Sequence, residues 1–226
     1  GTKIWTTDAH RNDYIICLVR TQPAEENRHA GLSQIIIDLK RDGAKVRPIK
    51  NMAGGEDFNE VVFEDVVVPK DRIVGEAGNG WAQVTSELAY ERSGPERFLS
   101  AFRVFVELVR FCGPEPTQYQ ATVIGRIASH IMTLRRMSIS VAGMLESGKD
   151  VVVEAALVKE LGNNFEKLLP ELARVVGSDG FSDFSRDGDL FRRTFEDTML
   201  LSPSFTLRGG TREILRGVIA RGLGLR

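Results

Sequence analysis

Near Trp81 the spacing of apolar residues changes, and that change restricts the chain to folds in which a sheet precedes a set of helices. From Lys3 to about Val74 the apolar residues come in short bursts rich in β-branched types, at positions 4–7, 14–19, 35–39, 46–49, 61–63 with 66–68, and 73–74. Turn-forming groups bound them, among them Arg11-Asn12-Asp13, residues 27–31, Asp42-Gly43 and residues 54–57, which predicts strands of an antiparallel sheet. After Trp81 the period becomes helical. Trp81, Val84, Leu88, Phe98, Phe102, Phe105 and Val109 recur at three- and four-residue steps, and so do Ile127, Ile131, Leu134, Met137, Val141 and Leu145. Gly113-Pro114 separates these two stretches. A third helix is expected over 151–176, a short one near 190–201 and a last one over 211–223. The expected architecture is α+β in two domains, residues 1–76 and 77–226, with 75–80 as the linker.

Composition narrows the function classes. Among 226 residues, 30 Lys and Arg stand against 31 Asp and Glu, so no surplus of positive charge exists to neutralise nucleic-acid phosphates. With 42% hydrophobic and 27% charged residues the chain has the make-up of a soluble globular protein, and no apolar run approaches the ~20 residues that span a bilayer. Cys17 and Cys112 lie far apart outside any ligand pattern, and His10, His29 and His130 have no partner at a metal-ligand spacing, so no metal site is expected. Gly75 to Gly80 lacks the βαβ context of a phosphate loop. The Phe and Met residues on the helical stripes are expected to be core. Gly1, followed at once by an apolar strand, suggests a sequence that begins inside a longer protein.

What remains is a charged cluster, Glu87, Glu91, Arg92 and Glu96. Glu91 falls three residues after Leu88, close to the apolar stripe, where a carboxylate is partly desolvated and adjacent Arg92 opposes that effect. Such a group suits proton abstraction near neutral pH. On spacing alone, a solvated helix face or an ordinary ion pair is favoured over a base, by about three to one.

An ordered series of motifs resembles the acyl-CoA dehydrogenase family: Ile4-Trp5-Thr6-Thr7, the strand from Gly31 to Asp38, the segment from Phe58 to Pro69, Val74-Gly75-Glu76, Gly78-Asn79-Gly80-Trp81 and Glu91-Arg92. The resemblance runs along nearly the whole chain. It implies the second part of a β-barrel-like middle domain over 1–76, followed by an antiparallel four-helix bundle over 77–226, with the family's N-terminal helical domain and first strands absent. The implied reaction is α,β-dehydrogenation of an acyl-CoA thioester with FAD, giving a 2-enoyl-CoA. A glutamate takes the α-proton and the β-hydride passes to flavin N5.

Carried over by motif, Trp5, Thr6 and Thr7 match the segment that contacts the flavin ring. Many family members carry the base near the C-terminus in a Tyr-Glu-Gly-Thr motif, but here Arg208-Gly209-Gly210-Thr211 stands in its place and Gly209 cannot accept a proton. Others carry it in the first bundle helix, before an arginine. Glu91-Arg92 matches that arrangement, which makes Glu91 the expected base and Arg92 its electrostatic partner. Gly177, Thr211 and Glu213 match positions near the rest of FAD. The family's Arg-x-x-Phe-Gly motif, which binds the FAD diphosphate of a neighbouring subunit, is missing; Gly113-Pro114-Glu115-Pro116-Thr117 occupies its place.

The resemblance further implies an acyl-CoA substrate, a role in lipid degradation of the β-oxidation type, an electron-transfer flavoprotein as electron acceptor, a homo- or heterotetramer and a cytoplasmic location. The lost diphosphate motif fits heteromeric members in which one subunit supplies the base and another part of the flavin site. The alternative is a non-catalytic partner subunit with weak or no FAD binding. A sheet without its first strands has open edges, so the isolated fragment is expected to be inactive.

Overall fold

Alternating residues in the first third build two small antiparallel sheets. In the computed structural model, which describes residues 1–24, 26–41, 43–178 and 186–225, β1 (Thr2–Thr7), β5 (Phe58–Phe63) and β4 (Ala44–Ile49) form one sheet in that order. The other consists of β2 (Tyr14–Arg20), β3 (Leu32–Asp38) and β6 (Ile73–Val74). Of the expected Asp42-Gly43 turn, Asp42 lies outside the described residues. The expected barrel-like sheet is corrected here, because among the described residues no strand pairing joins the two sheets and no barrel closes. The two-residue β6 meets β3 only at Gln34 and Ile35 and is too short to bridge them. A small core of Ala9, Leu39 and Val61, flanked by Ile15, Val46 and Phe63, lies between the sheets, and Lys3 Nζ donates to Leu18 O at 2.8 Å from one to the other.

These strands belong to a compact unit, Gly1–Glu87, and the remaining helices to a second, Leu88–Arg226. Helix α1 (Gly80–Ser93) contributes to both. Its start is fastened to the sheet within the first unit: Gly78 N donates to Ser33 Oγ at 2.8 Å, and a Cβ at Gly80 would stand 2.7 Å from the Ser33 backbone. Trp81, the first residue of the helical spacing, is 40% exposed and stacks on His29 with ring centroids 3.9 Å apart.

Six helices are present among the described residues, where the spacing gave five helical stretches: α1, α2 (Phe102–Cys112), α3 (Gln118–Glu146), α4 (Val152–Val176), α5 (Arg186–Leu201) and α6 (Arg212–Gly222). The apolar stripe from 81 to 109 is not continuous. Pro95 has no N–H to extend α1 and disfavours helical geometry at Gly94, so the chain makes a 3-10 turn, Pro95–Arg97, before α2 begins. The phase of the stripe shifts with it: Val104 and Leu108 are fully buried, whereas Phe102 and Val109 are each 39% exposed. Thr117 caps α3 reciprocally, its Oγ1 accepting from Gln120 N while Gln120 Oε1 accepts from Thr117 N. Helices α2 to α5 supply the core around Phe98, Ile127, Phe165, Leu169 and Phe191, and α6 packs on α4.

Helix α4 carries polar residues on a buried face. Lys159, Asn163 and Glu166, spaced by four and three residues, are each 0% exposed. Burial pushes the Lys159 ammonium down to about 8; the cations Arg208 and Arg97 act in the same direction, against the pull of Glu166 and Glu91. Between Lys159 and Glu166, Gly162 lets the Pro95–Arg97 turn approach the helix, since a Cβ there would lie 2.4 Å from Arg97 O and 3.2 Å from Phe98 Cβ.

Gly162→Ala is therefore expected to destabilise the protein by about 1–3 kcal/mol through overpacking. Gly143→Ala on α3, where a Cβ would meet nothing within 4 Å, should leave stability unchanged or raise it by up to about 1 kcal/mol. Urea unfolding followed by circular dichroism measures both, and equal effects would refute the packing argument. Lys159 adds a pH dependence. Its value of about 8 in the fold lies below the ordinary 10.5, so between those pH values the unfolded chain keeps a proton that the folded chain has released. Stability from this group thus rises with pH across that window. The unfolding free energy of wild type minus that of Lys159→Met should climb from pH 8 to 10, and a flat difference would contradict it.

Candidate functional site

The helix break at Gly94-Pro95 builds the centre of the second unit. It turns the chain so that Arg97, six residues after Glu91, folds back on the end of α1: Arg97 Nε donates to Glu91 O at 2.9 Å and Nη2 donates to Glu91 Oε1. The Arg97 side chain is 10% exposed and that of Glu91 is 41% exposed, so the carboxylate is oriented from below and reachable from solvent. Among the described residues no hydrogen bond falls on Glu91 Oε2. Ser138 Oγ on α3 donates to Ser93 O at 2.6 Å and holds the same helix end.

Arg92, the expected partner of Glu91, points elsewhere. Its Nε donates to Gly209 O at 2.9 Å, and the ion pair of Glu91 is made by Arg97. Arg92 is 8% exposed; burial lowers its affinity for the proton below the ordinary arginine value, and the charge of Glu91 partly offsets this. Its link to Glu91 is a longer-range electrostatic one. Arg97 escapes a reading of helical spacings because a separation of six residues does not put two side chains together on a continuous helix, where neighbours are three or four apart, and only the turn brings them together.

The segment carrying Gly209 closes this site. Gly209 and Gly210 have φ of +63° and +102°, backbone that favours glycine. A Cβ at Gly209 would lie 3.4 Å from Glu91 Oε1, 3.7 Å from Arg92 Cγ and 3.8 Å from Arg97 Cζ. The residue that replaces the C-terminal glutamate motif therefore borders the Glu91 carboxylate. Preceding it, Arg208 Nη2 donates to Glu166 Oε2 at 3.1 Å and to Ser100 Oγ at 2.8 Å, with its guanidinium 5.1 Å from the Phe205 ring centroid.

The residues expected toward the diphosphate side of FAD are placed differently. Gly177 caps α4, donating to Ala173 O at 2.8 Å, and a Cβ there would strike the Phe191 ring at 2.2 Å, so core packing already accounts for glycine. Thr211 precedes α6 as its N-cap residue. The Glu213 carboxyl is held below the usual carboxylate range by its own backbone N–H and by the Thr211 hydroxyl. The first turn of α6 thus carries an anion of the chain itself, Glu213, and the loop between α2 and α3 offers Glu115 and no cation. This donor set does not fit a diphosphate.

The ring-side residues, in the first unit, do fit a flat aromatic ligand. Lys3 pairs with Val61 and Thr6 with Asn59, so β1 spends three residues where β5 spends two, and Trp5 at this bulge has φ of +62°. Its indole is 62% exposed, in edge contact with Phe58 at 6.1 Å between centroids. Fully buried Asn59 secures the bulge, donating from Nδ2 to Thr6 O at 3.0 Å and meeting His10 Nδ1 through Oδ1 at 2.9 Å. Asn59 and His10 are supports that the strand pattern alone did not single out. Thr7 is exposed at the end of the edge strand.

Comparison with known proteins identifies the family and the fold. The family described as acyl-CoA dehydrogenase, C-terminal domain, matches residues 78–224. Acyl-CoA dehydrogenase IpdE1 of Mycobacterium tuberculosis is 31% identical over 230 residues, covering 100% of this chain and 58% of the relative. Among solved structures, the ChsE4-ChsE5 complex from Mycobacterium tuberculosis superposes with a TM-score of 0.79 at 25% identity over 100% of this chain and 61% of that one. The Tcur3481-Tcur3483 steroid acyl-CoA dehydrogenase does so with 0.83 at 22% identity, over 100% and 60%. The chain thus spans about 60% of the length of these relatives, corresponding to their middle and C-terminal domains, and it belongs to the acyl-CoA dehydrogenase family.

Proposed function

We propose that this chain is the middle and C-terminal part of an FAD-dependent acyl-CoA dehydrogenase, in which Glu91 removes the α-proton of an acyl-CoA thioester to give a 2-enoyl-CoA. The observation that carries the reading is the 3.4 Å between Glu91 Oε1 and the point where a side chain at position 209 would emerge. A glutamate at either position reaches the same space, so Glu91 supplies the carboxylate that Gly209 lacks. Arg97 holds Oε1, which leaves Oε2 to take the proton. Arg92 and Arg97 add positive charge around the site, favouring the enolate character that develops as the α-proton leaves.

FAD, when bound, accepts the β-hydride. Trp5, Thr6 and Thr7 would hold its ring, and the electron-transfer flavoprotein would then take up the electrons. The diphosphate needs cations that the candidate residues do not provide, so they come from a partner subunit. Heteromeric relatives such as the ChsE4-ChsE5 complex support this arrangement. The same acidic diphosphate end favours a second reading, a non-catalytic subunit that stabilises a flavin-binding partner.

Glu91→Gln in the full-length protein, co-expressed with its partner, should keep the flavin yet lose acyl-CoA-dependent flavin bleaching by about a hundredfold or more. Undiminished bleaching would exclude Glu91 as the base, and a preparation that stays colourless with partner and added FAD would favour the second reading. Trp5→Ala should weaken FAD retention about tenfold through loss of the aromatic contact, measured by flavin fluorescence on dilution. Unchanged retention would remove Trp5 from the flavin site.

A further inference from the structure

Lys159 is a buried cation that the proposed chemistry leaves unused. It is 0% exposed, and among the described residues no carboxylate lies within 4.0 Å of its ammonium. Its Nζ donates to Asn163 Oδ1, one turn along α4, and to Phe205 O at 3.2 Å. Phe205 belongs to the 3-10 turn Ser202–Leu207, which runs directly into Arg208 and Gly209. The groups whose charge reaches Lys159 are Arg208 after that turn, Glu166 on α4, Arg97 after α1, and Glu91 itself. One buried ammonium therefore grips the strand of backbone whose far end borders the expected base.

We infer that Lys159 is a positioning residue: by binding Phe205 O it fixes residues 205–210 so that Gly209 stays against the Glu91 carboxylate. The inference rests on Glu91 being the base. Two other cations hold the same segment, Arg208 through Glu166 and Arg92 through Gly209 O, at 3.1 Å and 2.9 Å. Lys159 differs from both because it acts at the start of the segment and holds the backbone from inside the helical core. A charge-assisted bond to a carbonyl in such a place is among the stronger single hydrogen bonds, and its loss frees the turn without touching the carboxylate.

The test uses the full-length protein with its partner and compares Lys159→Met, which keeps the length and apolar stem, with Lys159→Gln, which keeps a donor. Hydrogen–deuterium exchange is read on peptides covering 202–210 and, as a control, 123–141 in α3. Flavin bleaching by acyl-CoA is followed in parallel. Lys159→Met should speed exchange about tenfold in the 202–210 peptide alone and lower the bleaching rate at saturating substrate about tenfold with KM little changed. Lys159→Gln should restore part of both. Unchanged exchange and rate in both variants would overturn the inference, as would faster exchange spread evenly over both peptides, which marks a general loss of stability. Glu91→Gln tests the underlying reading separately: if it abolishes bleaching while the Lys159 variants behave as wild type, only the positioning role falls.

Discussion

Helix α4 brings three polar side chains, Lys159, Asn163 and Glu166, into the interior of the second unit, and the surrounding structure is organised by what they require. A buried ammonium or carboxylate is tolerated only when its hydrogen-bonding groups find partners, because leaving one unpaired costs about 1–3 kcal/mol or more. Glu166 meets this demand with Ser100 N on one side and Arg208 on the other, at 2.9 and 3.1 Å. Lys159 meets it with Asn163 and with Phe205 O. The two segments that flank Glu91, the turn after α1 and the loop before α6, are therefore drawn onto the same helix by the same row of polar groups. Gly162 completes the arrangement, since any larger residue would hold the turn away. Among the described residues Asn163 Nδ2 finds no partner, one local cost of the arrangement.

The relation between positions 91 and 209 follows from that convergence. Two carboxylates separated by a few ångströms in a half-buried site repel, and one of them would be forced to hold a proton. A base on α1 thus goes with a residue at 209 that brings no charge, and the left-handed backbone there makes glycine the residue of least strain. Arg92 fits the same logic. With no side chain at 209 to contact, its guanidinium holds the peptide backbone instead, through Gly209 O.

Much of this was legible before the structure. The change of period near Trp81 separates sheet from helix, and Glu91 stands out as a carboxylate near an apolar stripe. What the pattern conceals depends on single residues that reset it. Pro95 interrupts a stripe that otherwise reads as continuous, and so hides both the phase of α2 and the pairing of Arg97 with Glu91. One extra residue in β1 turns Trp5 outward, and alternation over so short a strand does not reveal it. Trp81 has the spacing of a core residue, yet its indole finds His29 at the surface, a contact between residues far apart in sequence. Strand residues likewise do not say which neighbours they take, and β6 proved too short to join two sheets into one.

The contrast between the two ends of the expected cofactor site is physical. At the ring end, a bulky residue sits in left-handed backbone, a conformation that costs on the order of 1–3 kcal/mol and persists only where the surroundings impose it. Asn59 imposes it here: fully buried, it binds the Thr6 carbonyl immediately after the strained residue and is itself steadied by His10. The strain leaves the indole mostly exposed, with its edge against Phe58. At the opposite end nothing comparable is built. The α6 N-terminus, the natural place for an anion, already holds Glu213, and Gly177 is closed off by Phe191. The first turn of α6 thus carries a carboxylate of the chain's own, whereas the bulge of β1 leaves an indole open to solvent.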